Sequence, residues 1–141
     1  MLKQTFRLDR YDWQITVYYS IHTYHVDEIM QHLARIGIKG KDYDKAYRNL
    51  SSGEVNKGIT FVKNGEAIAV IGRASSAAQY ADSIQHEVQH LAIFIADAEG
   101  IPLKDEEVCY IGGEIARKMW PKTKYLTSEC GCYTYRIGKA L

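Results

Sequence analysis

His86, Glu87 and His90 are the residues of this chain whose types and spacing could do chemistry together. They belong to an HExxH pentapeptide, His86-Glu87-Val88-Gln89-His90. On an α-helix, residues four apart stand one above the other on the same face, so both imidazoles can offer a ring nitrogen to one zinc ion. Glu87 is offset by about 100° around the helix. That offset points it past the metal while leaving it within reach of a metal-bound water. Two histidines and a neighbouring carboxylate are what metal-assisted hydrolysis requires. The competing expectation is a metal-free helix in which both histidines are hydrogen-bonded.

The flanking residues must supply that helix. Between Ser75 and Glu99 there is neither proline nor glycine, Ser75 and Ser76 are N-cap candidates, and Gly100 and Pro102 are stop signals. Ile84, Val88, Leu91 and Ile95 form one apolar stripe, with His86 and His90 on the opposite side near Ile93 and Asp97. The run Leu91–Ala96 is apolar throughout. The helix is therefore expected to be buried on two faces, one on a sheet and one toward a polar centre and a further helix.

A catalytic zinc usually takes three protein ligands and keeps one position for water. Gly100–Leu103 reads as a short turn, and Lys104-Asp105-Glu106-Glu107 opens a second helix running to about Met119, where Pro121 ends it. Glu106, in the first turn of that helix, is a candidate third ligand. Glu107 competes with it, Asp105 is a candidate N-cap, and acidic residues there also complement the helix dipole. Tyr110 lies one turn beyond Glu106 on the same face and could hydrogen-bond a ligand or an oxyanion.

HEVQH followed by Glu106-Glu107-Val108-Cys109-Tyr110 resembles the HExxH…ExxA pattern of gluzincin-type zinc metallopeptidases. It is most similar to small single-domain versions from phages and mobile elements, including ImmA/IrrE-like proteins. The likeness spans about residues 67–119. It implies zinc held by His86, His90 and a glutamate, with Glu87 as general base. Cys109 stands where alanine is common three residues after the ligand, which favours Glu106 over Glu107. The resemblance also implies that the strand at Glu66–Arg73 lies at the cleft edge and pairs with an extended substrate, unless it is already paired on both sides.

Length and composition suit one domain over residues 1–141: 46% hydrophobic residues, 25% charged, net charge +1 from 18 basic and 17 acidic residues. That balance gives no electrostatic case for nucleic acid or a membrane surface. The N-terminus has no apolar signal region, no run approaches a membrane span, and three cysteines suit a reducing compartment, so a cytoplasmic protein is expected. Oligomeric state is not legible.

The remaining elements are read from pattern. Trp13–Tyr24 reads as a strand, Asp27–Ile36 as a helix stopped by Gly37, and Tyr43–Leu50 as a short helix. Gly58–Lys63 and Glu66–Arg73 read as strands joined by Asn64-Gly65, a hairpin turn. His22 and His25, in an extended segment, would lie on opposite faces and could share a metal only if a turn intervened, and His32 reads as a surface or boundary residue. Cys130-Gly-Cys132 could bind metal, and the tail with Tyr125, Tyr133 and Tyr135 could add a strand or cover the site.

The expected fold is α+β and zincin-like: a small antiparallel sheet packed on the HExxH helix, with a Glu-bearing helix behind. The expected function is zinc-dependent hydrolysis of a peptide or protein amide, with a non-catalytic zinc-binding adaptor of the same fold as the alternative.

Overall fold

The computed structural model describes residues 2–52 and 58–128. Its elements in chain order are β1 (Leu2–Arg7), β2 (Gln14–Tyr19), a 3-10 turn (Thr23–His25), α1 (Val26–Ile36), α2 (Lys41–Ser51), β3 (Ile59–Lys63), β4 (Glu66–Ile71), α3 (Ala77–Ala98) and α4 (Glu106–Leu126). Among the described residues this is a mixed α+β arrangement of a four-stranded sheet and four helices. The Cys130, Cys132, Tyr133 and Tyr135 expectations fall outside the described residues.

The sheet order is β1-β2-β4-β3. β1 pairs antiparallel with β2, and β3 antiparallel with β4, but β2 and β4 run parallel, Ile15 opposite Ala67 and Tyr19 opposite Ile71. The sheet is thus mixed, which corrects the antiparallel expectation. The chain leaves β2 through α1 and α2 before returning, and such a long crossover lets two strands lie parallel. Pairing on both sides also makes β4 a central strand rather than the expected cleft edge, and leaves β1 and β3 at the edges of the described sheet.

Because successive strand residues face opposite sides, β2 and β4 feed two cores at once. Ile15, Val17, Tyr19, Ala67, Ala69 and Ile71 pack under α3 and α4. Tyr18, Ile68 and Val70 pack under α1 and α2, against Ile29, Leu33 and Leu50. The molecule is layered helix, sheet, helix rather than two-layered.

Local signals hold where they are strong. Asn64 (φ 55°) and Gly65 (φ 77°) take the left-handed pair that a tight hairpin turn requires. Gly37 (φ 104°) closes α1. β1 went unread, since its sequence LKQTFR carries little apolar alternation. Strand β2 also stops at Tyr19, short of Tyr24.

Pro121 does not end α4, which runs on to Leu126. An interior proline costs roughly 3 kcal/mol. Met119 and Leu126 are fully buried before and beyond it, each contributing roughly 1.5–3 kcal/mol, and Gln4 Nε2 donates to the Lys118 carbonyl at 2.7 Å in the disturbed turn.

Candidate metal centre

Helix α3 begins at the N-cap Ser76, whose hydroxyl accepts from Gln79 N at 3.2 Å, and it carries Val88, Leu91 and Ile95 onto the sheet. The small Ala67 and Ala69 let it approach β4 closely. Thr60 of β3 lies opposite Ala69, so it faces the same helix. His86 is exposed and His90 half-buried, because both turn away from that packed face. Helix α3 does pack on a further helix, α4, through Ala92 and Ala96, but the histidine side is not the expected second buried face: Gln89, Ile93 and Asp97 are exposed as well.

Glu87 turns to the flank and is 3% exposed. One ligand atom from each of His86, Glu87 and His90 lies within 4.8 Å of the others. The two imidazoles are edge-to-face with centroids 4.4 Å apart, and the His90 ring stacks on Phe94 at 5.4 Å. His90 Nδ1 is 3.4 Å from Glu87 Oε2. The same carboxylate oxygen accepts a short hydrogen bond from Thr60 Oγ1. Glu87 Oε1 lies against Gly58, where a Cβ would collide with it and with the Val70 carbonyl.

Thr60 and Gly58 thus form the seat of Glu87, and neither is legible as such in the sequence. The only signal is a glycine before a strand and a threonine at its second position. Their meeting with Glu87 depends on the sheet order.

The other expected site residues lie elsewhere. Helix α4 packs along the flank of α3, where a Cβ added to Gly112 would lie 3.5 Å from the Ala92 Cβ. At about 100° per residue, that flank is turned by more than a quarter turn from His86 and His90. Among the described residues the metal-capable group is His86, Glu87 and His90, and Glu106 is not brought to it. Glu106 is exposed and accepts from Tyr110 OH at 3.4 Å, while Arg10 lies over the Tyr110 ring at 5.1 Å. Tyr110 therefore keeps its place one turn from Glu106 without facing the histidines. Glu107 pairs with Arg10 at 2.7 Å, and that hydrogen bond holds its carboxyl below the ordinary range. Asp105 is the N-cap of α4, accepting from Glu107 N.

The remaining histidines differ from expectation. A 3-10 turn brings His22 and His25 together, with ring centroids 5.7 Å apart, and Arg73 meets His22 Nδ1 at 3.2 Å. His32 is buried rather than at the surface, and its Nδ1 pairs with Tyr18 OH at 2.7 Å. Burial, then the nearby Arg35 and Lys3 charges, push its pKa down to about 4.

The donor set suits zinc: two imidazole nitrogens and a carboxylate oxygen. Donors about 2.0–2.1 Å from one ion lie at most about 4.2 Å apart, so the group needs a small contraction, which the exposed His86 side chain can provide. Compared with family models, curated proteins and solved structures, the chain gives no match. Among the described residues no helix is long and apolar enough to cross a membrane.

Proposed function

We propose that the chain is a zinc-dependent hydrolase acting on peptide bonds, with a minimal zincin-like site. The observation that carries this reading is the convergence of His86, Glu87 and His90 on a helix lying against the edge strand β3. His86 and His90 hold the metal. When bound there, zinc lowers the pKa of a coordinated water toward neutrality and polarises a carbonyl.

Glu87 accepts the proton of the attacking water and returns it to the leaving amine. Its carboxylate is aimed by Thr60 and walled by Gly58, so it does not swing away between turnovers. Among the described residues no strand pairs with the outer side of β3. That row of backbone groups suits an extended peptide, which would lie beside Glu87 because Thr60 belongs to both strand and site.

A second reading is favoured by one observation. Glu106 stands apart while Glu87 is within ligand reach, so Glu87 can complete a three-donor metal site with no general base. The chain would then be a non-catalytic zinc-binding adaptor. Glu87→Gln separates the two. As the base, Glu87 is replaced with zinc content unchanged and cleavage of a peptide library reduced about a hundredfold to ten-thousandfold. As a ligand, its replacement lowers zinc content, and the parent cleaves nothing.

A further inference from the structure

The geometry points to a phosphate-binding site at the carboxyl ends of the parallel strands β2 and β4, formed by His22, His25 and Arg73 and separate from the metal centre. The two strands are neighbours and end level, Tyr19 opposite Ile71. The chain then leaves them in opposite directions. Beyond β2 it enters α1, which packs on the sheet face of Tyr18, and beyond β4 it enters α3, which packs on the face of Tyr19. Helices that depart to opposite faces from adjacent parallel strands leave a crevice at the strand ends, where open α/β sheets hold their ligands. Ser20, at φ 52°, bends the chain there, and its hydroxyl lies 2.9 Å from Tyr80 OH in the first turn of α3.

The side chains at this crevice present donors and positive charge. Arg73 Nη1 donates to His22 Nδ1 at 3.2 Å. A guanidinium cannot accept, so the proton of the neutral His22 ring sits on Nε2. The His22 backbone N–H donates to His25 Nδ1 at 3.0 Å, which leaves the proton of that ring on Nε2 as well. The two ring centroids are 5.7 Å apart, and Tyr24 stacks nearly parallel on His22 at 5.2 Å. Both imidazoles are half-buried and Arg73 is exposed, so a solute can reach all three. No ion pair among the described residues engages any of them. Glu28, on α1, is the acid whose charge reaches His25.

A metal ion does not suit this pair. The guanidinium beside His22 repels a cation, and no third His, Cys, Asp or Glu among the described residues joins the two rings. An oxyanion suits it on both counts. A phosphoryl group offers three strong acceptor oxygens and up to about two negative charges, which match two Nε2–H donors and a guanidinium fork. The amino-terminal end of α3, whose N-cap Ser76 follows Arg73 by three residues, adds partial positive charge. Free phosphate and a phosphate monoester share this chemistry.

Calorimetric titration of the full chain with inorganic phosphate and with ribose 5-phosphate, beside the NMR signals of its histidine rings, tests this. One phosphoryl group per chain should bind, moving the His22 and His25 signals and leaving those of His32, His86 and His90 in place. Arg73→Ala should weaken binding about tenfold or more without lowering the melting temperature. Arg73→Lys, which keeps the charge and loses the fork, should fall between parent and Ala variant. The His86→Ala, His90→Ala double variant should bind as the parent does, whatever becomes of the metal reading. Tighter binding of the ester identifies a monoester as the ligand, and the reverse order identifies free phosphate. Absence of saturable binding by either probe overturns the proposal. So does binding that moves the His86 and His90 signals instead, or that Arg73→Ala leaves unchanged.

Discussion

The Thr60 hydroxyl donates to Glu87 Oε2, joining the edge strand to the buried carboxylate of the HExxH helix. A carboxylate that is 3% exposed needs such a donor, since an unsatisfied buried charge is costly. The contact also fixes the direction from which Glu87 meets the histidine pair. Replacing Thr60 by valine keeps the shape and removes the donor. We expect a loss of roughly 1–3 kcal/mol in denaturant unfolding, recovered by Thr60→Ser. Equal stability in parent and valine variant would show that the bond contributes nothing.

Gly58 should be intolerant of any side chain. A Cβ there meets the Glu87 carboxylate and the Val70 carbonyl, one of them rigid backbone. Gly58→Ala should destabilise by roughly 1–3 kcal/mol, the usual cost of forcing extra atoms into a packed site. Thermal unfolding beside Gly113→Ala, where space is open, provides the control.

Metal binding should depend on the histidine pair. The parent should carry about one zinc per chain, and His86→Ala with His90→Ala should carry none. Elemental analysis after dialysis decides, and full zinc content in the double variant would end the metal reading.

Glu106→Gln should leave zinc affinity unchanged in a chelator competition, because Glu106 sits with Tyr110 away from the pair. A weakened affinity would instead show that Glu106 reaches the metal in solution and would restore the ligand set implied by the HExxH…ExxA resemblance.

His32 predicts a pH dependence of stability. Its pKa is held down to about 4 in the fold, against about 6.5 when unfolded. Between those values the unfolded chain binds the extra proton, so stability rises with pH. The contribution is complete above about pH 6.5 and is lost as pH falls toward 4. Integrated over that window it is worth up to about 3 kcal/mol. His32→Leu should flatten this part of the stability profile measured by urea unfolding at successive pH values.

What the sequence by itself determined is local. The proline- and glycine-free run after Ser76 makes a helix, the spacing of His86 and His90 puts them on one face, and Asn64-Gly65 makes a hairpin. Each follows from rotation per residue or from the φ a turn demands, which neighbours a few positions away decide. The tertiary structure decided the rest. That β2 lies parallel to β4, that β3 is an edge strand of the described sheet, that Thr60 and Gly58 seat Glu87, and that α4 turns Glu106 away all depend on residues far apart in the chain. The close approach of Gly112 to Ala92 sets which face α4 offers to α3. Such contacts arise from packing shapes against one another, and no spacing along the chain encodes their direction.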